Sequence, residues 1–248
     1  MDVFQAIVLG VIQGLTEWLP ISSRSQVMVV GLNFFGMSAE SALRYAIFLH
    51  IGTMVAAAAY FRREYSAVLA LRDRAMLRFI VVALLATAIT AVPIYLLVRK
   101  AYTDPFFVMV LIGFGLLVSG ILQFKKRASG ASADRKSAVI AGLAQGFSAI
   151  PGISRSGVTT TALLFRGFSP EQAFRLSFLL SAPSVFLAEI GFNLMEGVWF
   201  EPMMLVSVAV AAIAGYVSIG ALLRVAKKIR FSWFCVAFGL LYLALAFV

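Results

Sequence analysis

Charged residues, cysteine and histidine are all scarce in this sequence. Asp, Glu, Lys and Arg make up 13% of its 248 residues, and Cys235 is its one cysteine. A single cysteine excludes an intramolecular disulfide. The N-terminus lacks a basic segment followed by an uninterrupted apolar core, so no cleaved signal peptide is expected. Because so few polar side chains cannot cover a water-soluble globule of this length, we expect lipid to surround much of the chain.

Apolar residues are correspondingly abundant, at 62% of the chain, and the mean hydropathy is +0.97. A helix that crosses a bilayer needs about 20 mostly apolar residues. Several stretches meet this requirement and predict an all-α polytopic membrane protein with six full transmembrane helices. These stretches are about 42–61, 78–98, 105–124, 170–190, 203–223 and 231–248.

Two further apolar segments, about 3–34 and 138–165, are interrupted in the middle by polar residues, glycine and proline. The interruptions read Glu17-Trp18-Leu19-Pro20-Ile21-Ser22-Ser23-Arg24 and Pro151-Gly152-Ile153-Ser154-Arg155-Ser156. Broken backbone at membrane depth is tolerated only where protein or a wet cavity surrounds it. Both segments are therefore predicted to be re-entrant helix hairpins.

An internal repeat relates these two segments. Three patterns recur in the same order at an offset of 131 or 132 residues. Gly10-x-x-Gln13-Gly14 recurs as Gly142-x-x-Gln145-Gly146, and Pro20 to Ser25 recurs as Pro151 to Ser156. Ser38-x-Glu40-x-Ala42-x-Arg44 recurs as Ser169-x-Glu171-x-Ala173-x-Arg175. They predict two halves, 1–131 and 132–248, each with one hairpin and three spans. Because three is odd, the second half must enter from the opposite face, which predicts an inverted-topology repeat.

The net charge of +10 comes from basic clusters between apolar stretches. In a soluble protein such a charge would suggest nucleic acid, but this distribution is typical of membrane topology, and no nucleic-acid partner is expected. The loops 62–78, 125–137 and 224–230 hold 14 of the 21 basic residues, whereas 99–104 and 191–202 hold two. The positive-inside rule thus predicts a multi-pass plasma-membrane protein with both termini outside the cytoplasm.

The candidate site residues lie in the two hairpins. Gln13 and Glu17 are four residues apart and share one helix face, and an ionisable residue at membrane depth is a functional hypothesis by default. Arginine binds phosphate through its planar fork, and serine hydroxyls and helix N-termini add donors. A carboxylate beside an anion needs a divalent cation, Mg²⁺ or Ca²⁺, or acts as a base. These hairpin residues together predict that the ligand is a lipid with a phosphate or diphosphate head. The alternative that Glu17 and an arginine form only a structural ion pair, which would join the halves, stays open.

Two long motifs carry a family resemblance. Gly14-Leu15-Thr16-Glu17-Trp18-Leu19-Pro20-Ile21-Ser22-Ser23 and Pro151-Gly152-Ile153-Ser154-Arg155-Ser156-Gly157-Val158-Thr159 resemble the signatures of undecaprenyl-diphosphate phosphatases, the bacitracin-resistance (BacA/UppP) family. The resemblance covers essentially the whole chain. It implies six spans and two re-entrant pairs. It also implies metal-dependent removal of the terminal phosphate from polyprenyl diphosphate at the outer face, which recycles the lipid carrier for envelope synthesis.

By position, the resemblance and the chemistry together assign roles to eleven residues. The expected catalytic residues are Glu17, Ser22, Ser23 and Arg155; the expected substrate contacts are Gln13, Arg24, Gln26, His50, Ser154, Ser156 and Thr159; the expected metal ligands are Glu17 and Gln13. The family's first motif usually continues to a histidine, where this chain has Gln26. Gln26 cannot titrate or act as a nucleophile, so His50, the one histidine, becomes a candidate to replace that group.

Ser23 is the favoured nucleophile, with Ser22 or an activated water as alternatives. Two other functions stay open at this point. Inverted repeats with broken helices are also typical of carriers, so a polyprenyl-phosphate flippase is the main alternative. An inactive lipid-binding homologue is the other. Membrane lipids are expected partners, and a homodimer is an open expectation.

Overall fold

The computed structural model describes residues 1–98, 105–122, 131–150, 152–197, 200–225 and 231–246. Within these ranges all regular structure is helical, which confirms the all-α prediction. In the described ranges a short 3-10 turn, Phe147–Ala149, accompanies the α-helices. The α-helices are α1 Val3–Thr16, α2 Ser23–Phe35, α3 Ala39–Phe48, α4 His50–Tyr60, α5 Arg62–Leu69, α6 Arg74–Val98, α7 Pro105–Leu122, α8 Arg135–Gly146, α9 Arg155–Phe165, α10 Pro170–Glu196, α11 Met203–Val225 and α12 Phe231–Leu245.

Four helical stretches of the described chain are long and apolar enough to cross a membrane: Ala39–Tyr60, Arg74–Val98, Pro170–Glu196 and Met203–Arg224. They coincide with four of the six predicted spans. The other two predicted spans, 105–124 and 231–248, fall on α7 and α12, whose apolar parts are shorter, Phe106–Val118 and Cys235–Leu245. Large apolar side chains stand exposed on the long helices, including Leu97 at 80% and Leu194 at 81%, as expected for surfaces that face lipid.

The stretch predicted as one span at 42–61 consists of two helices, because the helix is interrupted at Leu49 between α3 and α4. The His50 ring lies across this interruption, with Nδ1 2.7 Å from the Ala46 carbonyl oxygen. A side chain that approaches a carbonyl of the preceding turn competes with the regular helical hydrogen bond there. The sequence alone did not reveal this break, which places His50 at the start of a new helix.

Each predicted hairpin is a helix, a turn and a second helix that pack against each other, α1 with α2 and α8 with α9. A residue in the left-handed region precedes the second helix in both turns: Ser22 has φ 60° and Gly152 has φ 83°. Pro151, and half of the basic residues that predicted the orientation (those at 99–100, 125–127, 227–228 and 230), lie outside the described residues.

The repeated glycines of the GxxQG pattern let α1 pack closely on α11 and let α8 pack closely on α6. A Cβ on Gly10 would lie 2.6 Å from the Ser207 carbonyl oxygen of α11, and a Cβ on Gly142 would lie 2.2 Å from the Ala83 carbonyl oxygen of α6. Neither distance is possible for a real side chain without a shift of the backbone. The glycine part of the motif therefore serves packing and positions the polar turns that follow.

Candidate functional site

The turns of the two hairpins meet and are hydrogen-bonded to each other. Gly152 N donates to Ser25 Oγ at 3.1 Å, and Ser156 Oγ donates to the Leu19 carbonyl at 3.1 Å. A pocket with about 330 Å³ of empty space, part of it open to the surroundings, lies between them. Its lining residues are Glu17, Ser22, Ser23, Arg24, His50, Ser148, Ile150, Ile153, Ser154, Arg155 and Ser156.

Glu17 is the centre of this pocket, and its side chain is 3% exposed. Its Oε2 accepts hydrogen bonds from Ser23 Oγ at 2.6 Å and from Gln13 Nε2 at 2.8 Å. Its Oε1 accepts from Arg155 Nη2 at 2.5 Å. A buried charge is tolerated only when it is paired and hydrogen-bonded, and here residues of both hairpins satisfy the carboxylate.

The two arginines of the pocket differ in their hydrogen-bond and ion-pair partners. Arg155 uses Nη2 on Glu17, but its Nη1 is buried and has no hydrogen-bond partner among the described residues. Arg24 also lines the pocket, and the described residues supply no hydrogen bond or ion pair to its side chain. The ion pair that stayed open in the sequence is thus made by Arg155 and not by Arg24. Two guanidinium groups therefore have N–H donors available for an anion in the pocket.

Two helices begin at the pocket, α2 at Ser23 and α9 at Arg155. The Ser154 hydroxyl caps α9 by accepting from Gly157 N at 3.2 Å. Ser22, which stands in the left-handed region before α2, makes no such cap, and its Oγ pairs with Ser25 Oγ at 2.8 Å. The amides of the first turn of α2 therefore remain available for an anionic ligand, which helix N-termini favour.

His50 enters the pocket from α4, outside both hairpins. Its side chain is 13% exposed, and Nε2 lies 3.5 Å from Glu17 Oε2. Nδ1 is held by the carbonyl oxygens of Ala46 at 2.7 Å and Ile47 at 3.2 Å. The ring orientation is therefore determined by the main chain of α3, and Nε2 is the nitrogen that faces the site.

Three predicted substrate contacts do not line the pocket. Gln26 donates to the Ile21 carbonyl at 2.9 Å and accepts from the Tyr242 hydroxyl, so both ends of its amide are used away from the pocket. Thr159 donates to Gln145 Oε1 at 3.4 Å. Gln13 is fully buried behind Glu17.

Sequence reasoning missed one polar residue of the pocket, Ser148. It lies in the second hairpin between Gly146 and Gly152, in a 3-10 turn that has no counterpart in the repeated patterns. The only signal in the sequence was its place between these two glycines, where backbone breaks were already expected.

The chemistry of the donor set admits a divalent cation. The Gln13 carbonyl oxygen Oε1 is buried and has no described hydrogen-bond partner. A carboxylate offers about four lone-pair positions, of which the three donors named above occupy three. The described residues contain no cluster of three or more His, Cys, Asp or Glu side chains that could hold a metal ion by themselves. A cation here would therefore be open on one side, as Mg²⁺ sites that share substrate phosphate usually are.

Comparison with known proteins places these features in a family. The model of the family described as bacitracin resistance protein BacA matches residues 6–241. A protein of Methanothrix thermoacetophila named undecaprenyl-diphosphatase is 40% identical, over 99% of this chain and 97% of its own length. Proteins with the same name from Methanococcoides burtonii and Haloarcula marismortui are 38% and 37% identical, over 97% and 94% of this chain and 97% and 93% of their own lengths.

The match extends over nearly the whole chain and includes both hairpins and the pocket between them. Similarity at this level over nearly the full length of both sequences indicates common descent and a common fold. This chain is therefore a member of the bacitracin resistance protein BacA family.

Proposed function

We propose that this protein is an integral membrane phosphatase that hydrolyses polyprenyl diphosphate, undecaprenyl diphosphate in particular, to the monophosphate and inorganic phosphate. The curated relatives reported above are named for this hydrolase activity. The product is a lipid carrier in the form in which it can be loaded again, so the reaction recycles the carrier for envelope synthesis.

One observation carries the proposal: Ser23 Oγ donates to Glu17 Oε2 at 2.6 Å in a pocket where Arg155 Nη1 has no partner in the described part of the chain. A hydroxyl held by a carboxylate is an activated nucleophile, and a free guanidinium N–H beside it supports the charge of a phosphoryl group. Arg24, Ser154, Ser156 and the first-turn amides of α2 supply further donors around the same space.

The reaction can be written with these groups. Ser23 Oγ attacks the terminal phosphorus and passes its proton to Glu17 Oε2, while the bond from that phosphorus to the bridging oxygen breaks and polyprenyl monophosphate leaves. Water then attacks the phosphorus, Glu17 returns the proton to the Ser23 oxygen, and phosphate leaves as H₂PO₄⁻. Ser22 is the less suitable nucleophile because its hydroxyl is paired with Ser25.

A divalent cation, Mg²⁺ or Ca²⁺, belongs to this proposal, with Glu17 and Gln13 Oε1 as its protein ligands. When bound, such an ion neutralises phosphate charge and stabilises the transition state. The roles of Arg155 and Ser23 do not depend on this ion. Arg155 orients Glu17 and the phosphate, and the Ser23 hydroxyl donates a hydrogen bond to Glu17.

We also propose the membrane arrangement predicted from the sequence: six spans, two re-entrant hairpins, halves at 1–131 and 132–248 of opposite orientation, and both termini outside the cytoplasm. Reciprocal packing supports it. The first helix of each hairpin makes its most extensive contacts with a long helix of the other half, α1 with α11 and α8 with α6. An inverted repeat produces such reciprocal contacts between the halves and brings broken helices together near the membrane midplane.

The direct test is phosphate release from undecaprenyl diphosphate by the purified protein in detergent, before and after treatment with EDTA. We expect release that EDTA abolishes and Mg²⁺ or Ca²⁺ restores. Ser23→Ala should lose most of the activity, and Ser22→Ala should retain more of it. A pure carrier would release no phosphate yet would move labelled polyprenyl phosphate in sealed vesicles, and that result would refute the proposal. The names of the relatives do not favour that alternative.

A further inference from the structure

Glu189 is a carboxylate on a helix that is otherwise suited to lipid. It belongs to α10, about two turns before the end of the stretch Pro170–Glu196, which is long and apolar enough to cross a membrane. Its neighbours Phe186, Leu187 and Ile190 are 44–55% exposed, as on a surface that faces lipid, whereas Glu189 itself is partly buried. An ionisable residue in such a helix usually faces a cavity or a partner and is a functional hypothesis by default.

Glu189 lines a second pocket, which is a neighbour of the first. This second pocket has about 230 Å³ of empty space, part of it open to the surroundings, and Ile47 and Phe48 of α3 also line it. The carbonyl oxygen of Ile47 lies 3.2 Å from Nδ1 of His50, whose side chain lines the first pocket. The last turn of α3 thus contributes to the second pocket and contacts a residue of the first.

The arginine that shares the second pocket with Glu189 is bound elsewhere. Arg44 donates from Nε to Glu40 Oε1 at 3.1 Å, and from Nη1 and Nη2 to the Glu196 carbonyl oxygen at 3.3 and 3.4 Å. The described residues supply no hydrogen bond or ion pair to the Glu189 carboxylate. The charged side chain that acts on it electrostatically is Arg24, which lines the first pocket. Opposite charges in the two pockets therefore attract each other without forming an ion pair.

The internal repeat gives this pair of charges a counterpart. Arg24 and Arg155 occupy equivalent positions of the two repeated turns. Arg155 contacts its carboxylate, Glu17, at 2.5 Å, whereas Arg24 is attracted by Glu189 from beyond contact distance. Contact with a carboxylate fixes a guanidinium in place, but attraction over a longer distance leaves it able to turn towards an anion that comes closer.

We propose that Glu189 is a positioning residue that competes with the phosphate groups of substrate and product for Arg24. In the empty pocket the carboxylate attracts the guanidinium towards the second pocket, and a bound diphosphate attracts it into the first. The proposal rests on the proposed function and extends it to product release, because the attraction by Glu189 weakens the binding of phosphate groups by Arg24. A lone carboxylate that only extends towards the membrane interface would have no such effect.

The expected effect has a definite sign. Glu189→Gln keeps the shape of the side chain but removes its charge, so that only the anion then attracts Arg24. The variant should bind diphosphate and phosphate groups about three- to tenfold more tightly than the unmodified chain. We expect the KM for undecaprenyl diphosphate to fall accordingly. Damage to the structure would weaken binding, so a structural role of Glu189 predicts the opposite change.

The experiment measures the binding of methylenediphosphonate, a diphosphate analogue whose central bond cannot be hydrolysed. Isothermal titration calorimetry is applied to the purified full chain in detergent. We expect a Kd about three- to tenfold lower in Glu189→Gln and close to the unmodified value in Glu189→Asp, which keeps the charge. Glu201→Gln is the matched control, because it removes a carboxylate that lines neither pocket. It should bind the analogue like the unmodified chain.

A double-mutant cycle shows whether Arg24 transmits the effect. Arg24→Gln should weaken binding of the analogue, and the addition of Glu189→Gln to it should then change the Kd by less than about twofold. If Glu189→Gln fails to fold, Glu189→Ala removes the same charge and takes its place. Equal affinity with and without the Glu189 carboxylate, or an equally large effect in the absence of Arg24, would overturn the proposal.

These outcomes are independent of catalysis. A chain that binds the analogue more tightly without the Glu189 carboxylate but releases no phosphate retains this role of Glu189 and loses the phosphatase assignment. A chain that releases phosphate but binds the analogue equally well in Glu189→Gln keeps the assignment and loses this role.

Discussion

Glu17 and Arg155 are 138 positions apart in the sequence, yet Arg155 Nη2 lies 2.5 Å from Glu17 Oε1. Glu17 follows α1 in one hairpin and Arg155 begins α9 in the other, so this pair connects the two proposed halves. The guanidinium also has a buried Nη1 that none of the described residues hydrogen-bonds. One side chain can therefore orient the carboxylate and contact a phosphate at the same time, and a structural ion pair and a catalytic contact do not exclude each other here.

Replacement of this arginine by lysine tests that double role. Arg155→Lys keeps a positive charge for Glu17, but a single ammonium cannot reproduce the two separate contacts of the fork. We expect kcat for phosphate release to fall by about 10²–10³-fold, with little loss of expression. Arg166→Lys is the control, because Arg166 bonds Ser137 outside the pocket, at 3.3 Å. Full activity in Arg155→Lys would mean that the fork is not needed.

Gln26 should matter for stability more than for catalysis. Its amide bonds the Ile21 carbonyl and the Tyr242 hydroxyl and does not line the pocket. Gln26→Leu leaves both groups without partners, which typically costs about 1–3 kcal/mol for each buried group. We expect a lower thermal midpoint in detergent but a kcat within about threefold of the unmodified chain. A much larger loss of kcat at an unchanged midpoint would show that Gln26 reaches the substrate after all.

The close helix packing at Gly10 and Gly142 gives a third prediction. Gly10→Val would force side-chain atoms against the Ser207 carbonyl, since even a Cβ there lies at 2.6 Å. Overpacking of this kind costs about 1–3 kcal/mol, and α1 carries Glu17 at its end. We expect a lower melting temperature and reduced activity, and the same result for Gly142→Val. Gly191→Val should be tolerated, because no atom lies within 4 Å of a Cβ there.

The membrane orientation can be tested by labelling of single cysteines, because Cys235 is the only native one and is buried. In a Cys235→Ala background, Asp2→Cys and Phe200→Cys should react with a membrane-impermeant maleimide added to intact cells. Leu71→Cys and Ser132→Cys should react only after the cells are opened. Labelling of Leu71→Cys from outside would reverse the proposed orientation, and labelling of Asp2→Cys and Phe200→Cys from opposite sides would exclude the inverted repeat.

The broken helices were predictable from local chemistry. Glycine, proline and serine interrupt apolar segments at Glu17–Arg24 and near Arg155, and such residues favour turns whatever surrounds them. The structure has a turn at both places, and the helical stretches at about 42–61, 78–98, 170–190 and 203–223 lie where the hydropathy placed them. Most of the residues that line the pocket were also predicted from the sequence: Glu17, Ser22, Ser23, Arg24, Ser154, Arg155 and Ser156.

The sequence by itself thus determined most of the helical segments, the breaks at the two polar turns and the polar residues that lie there, because these depend on neighbours a few residues away. It did not predict the break at Leu49 or helix α5 within the expected 62–78 loop. Only the tertiary structure decided that Arg155, and not Arg24, pairs with Glu17, that His50 enters from α4, and that Gln26 turns towards Tyr242. Each of these choices depends on distances of a few ångströms between helices remote in the chain. No pattern of spacing along one chain specifies such distances, since they result from how all the helices pack together.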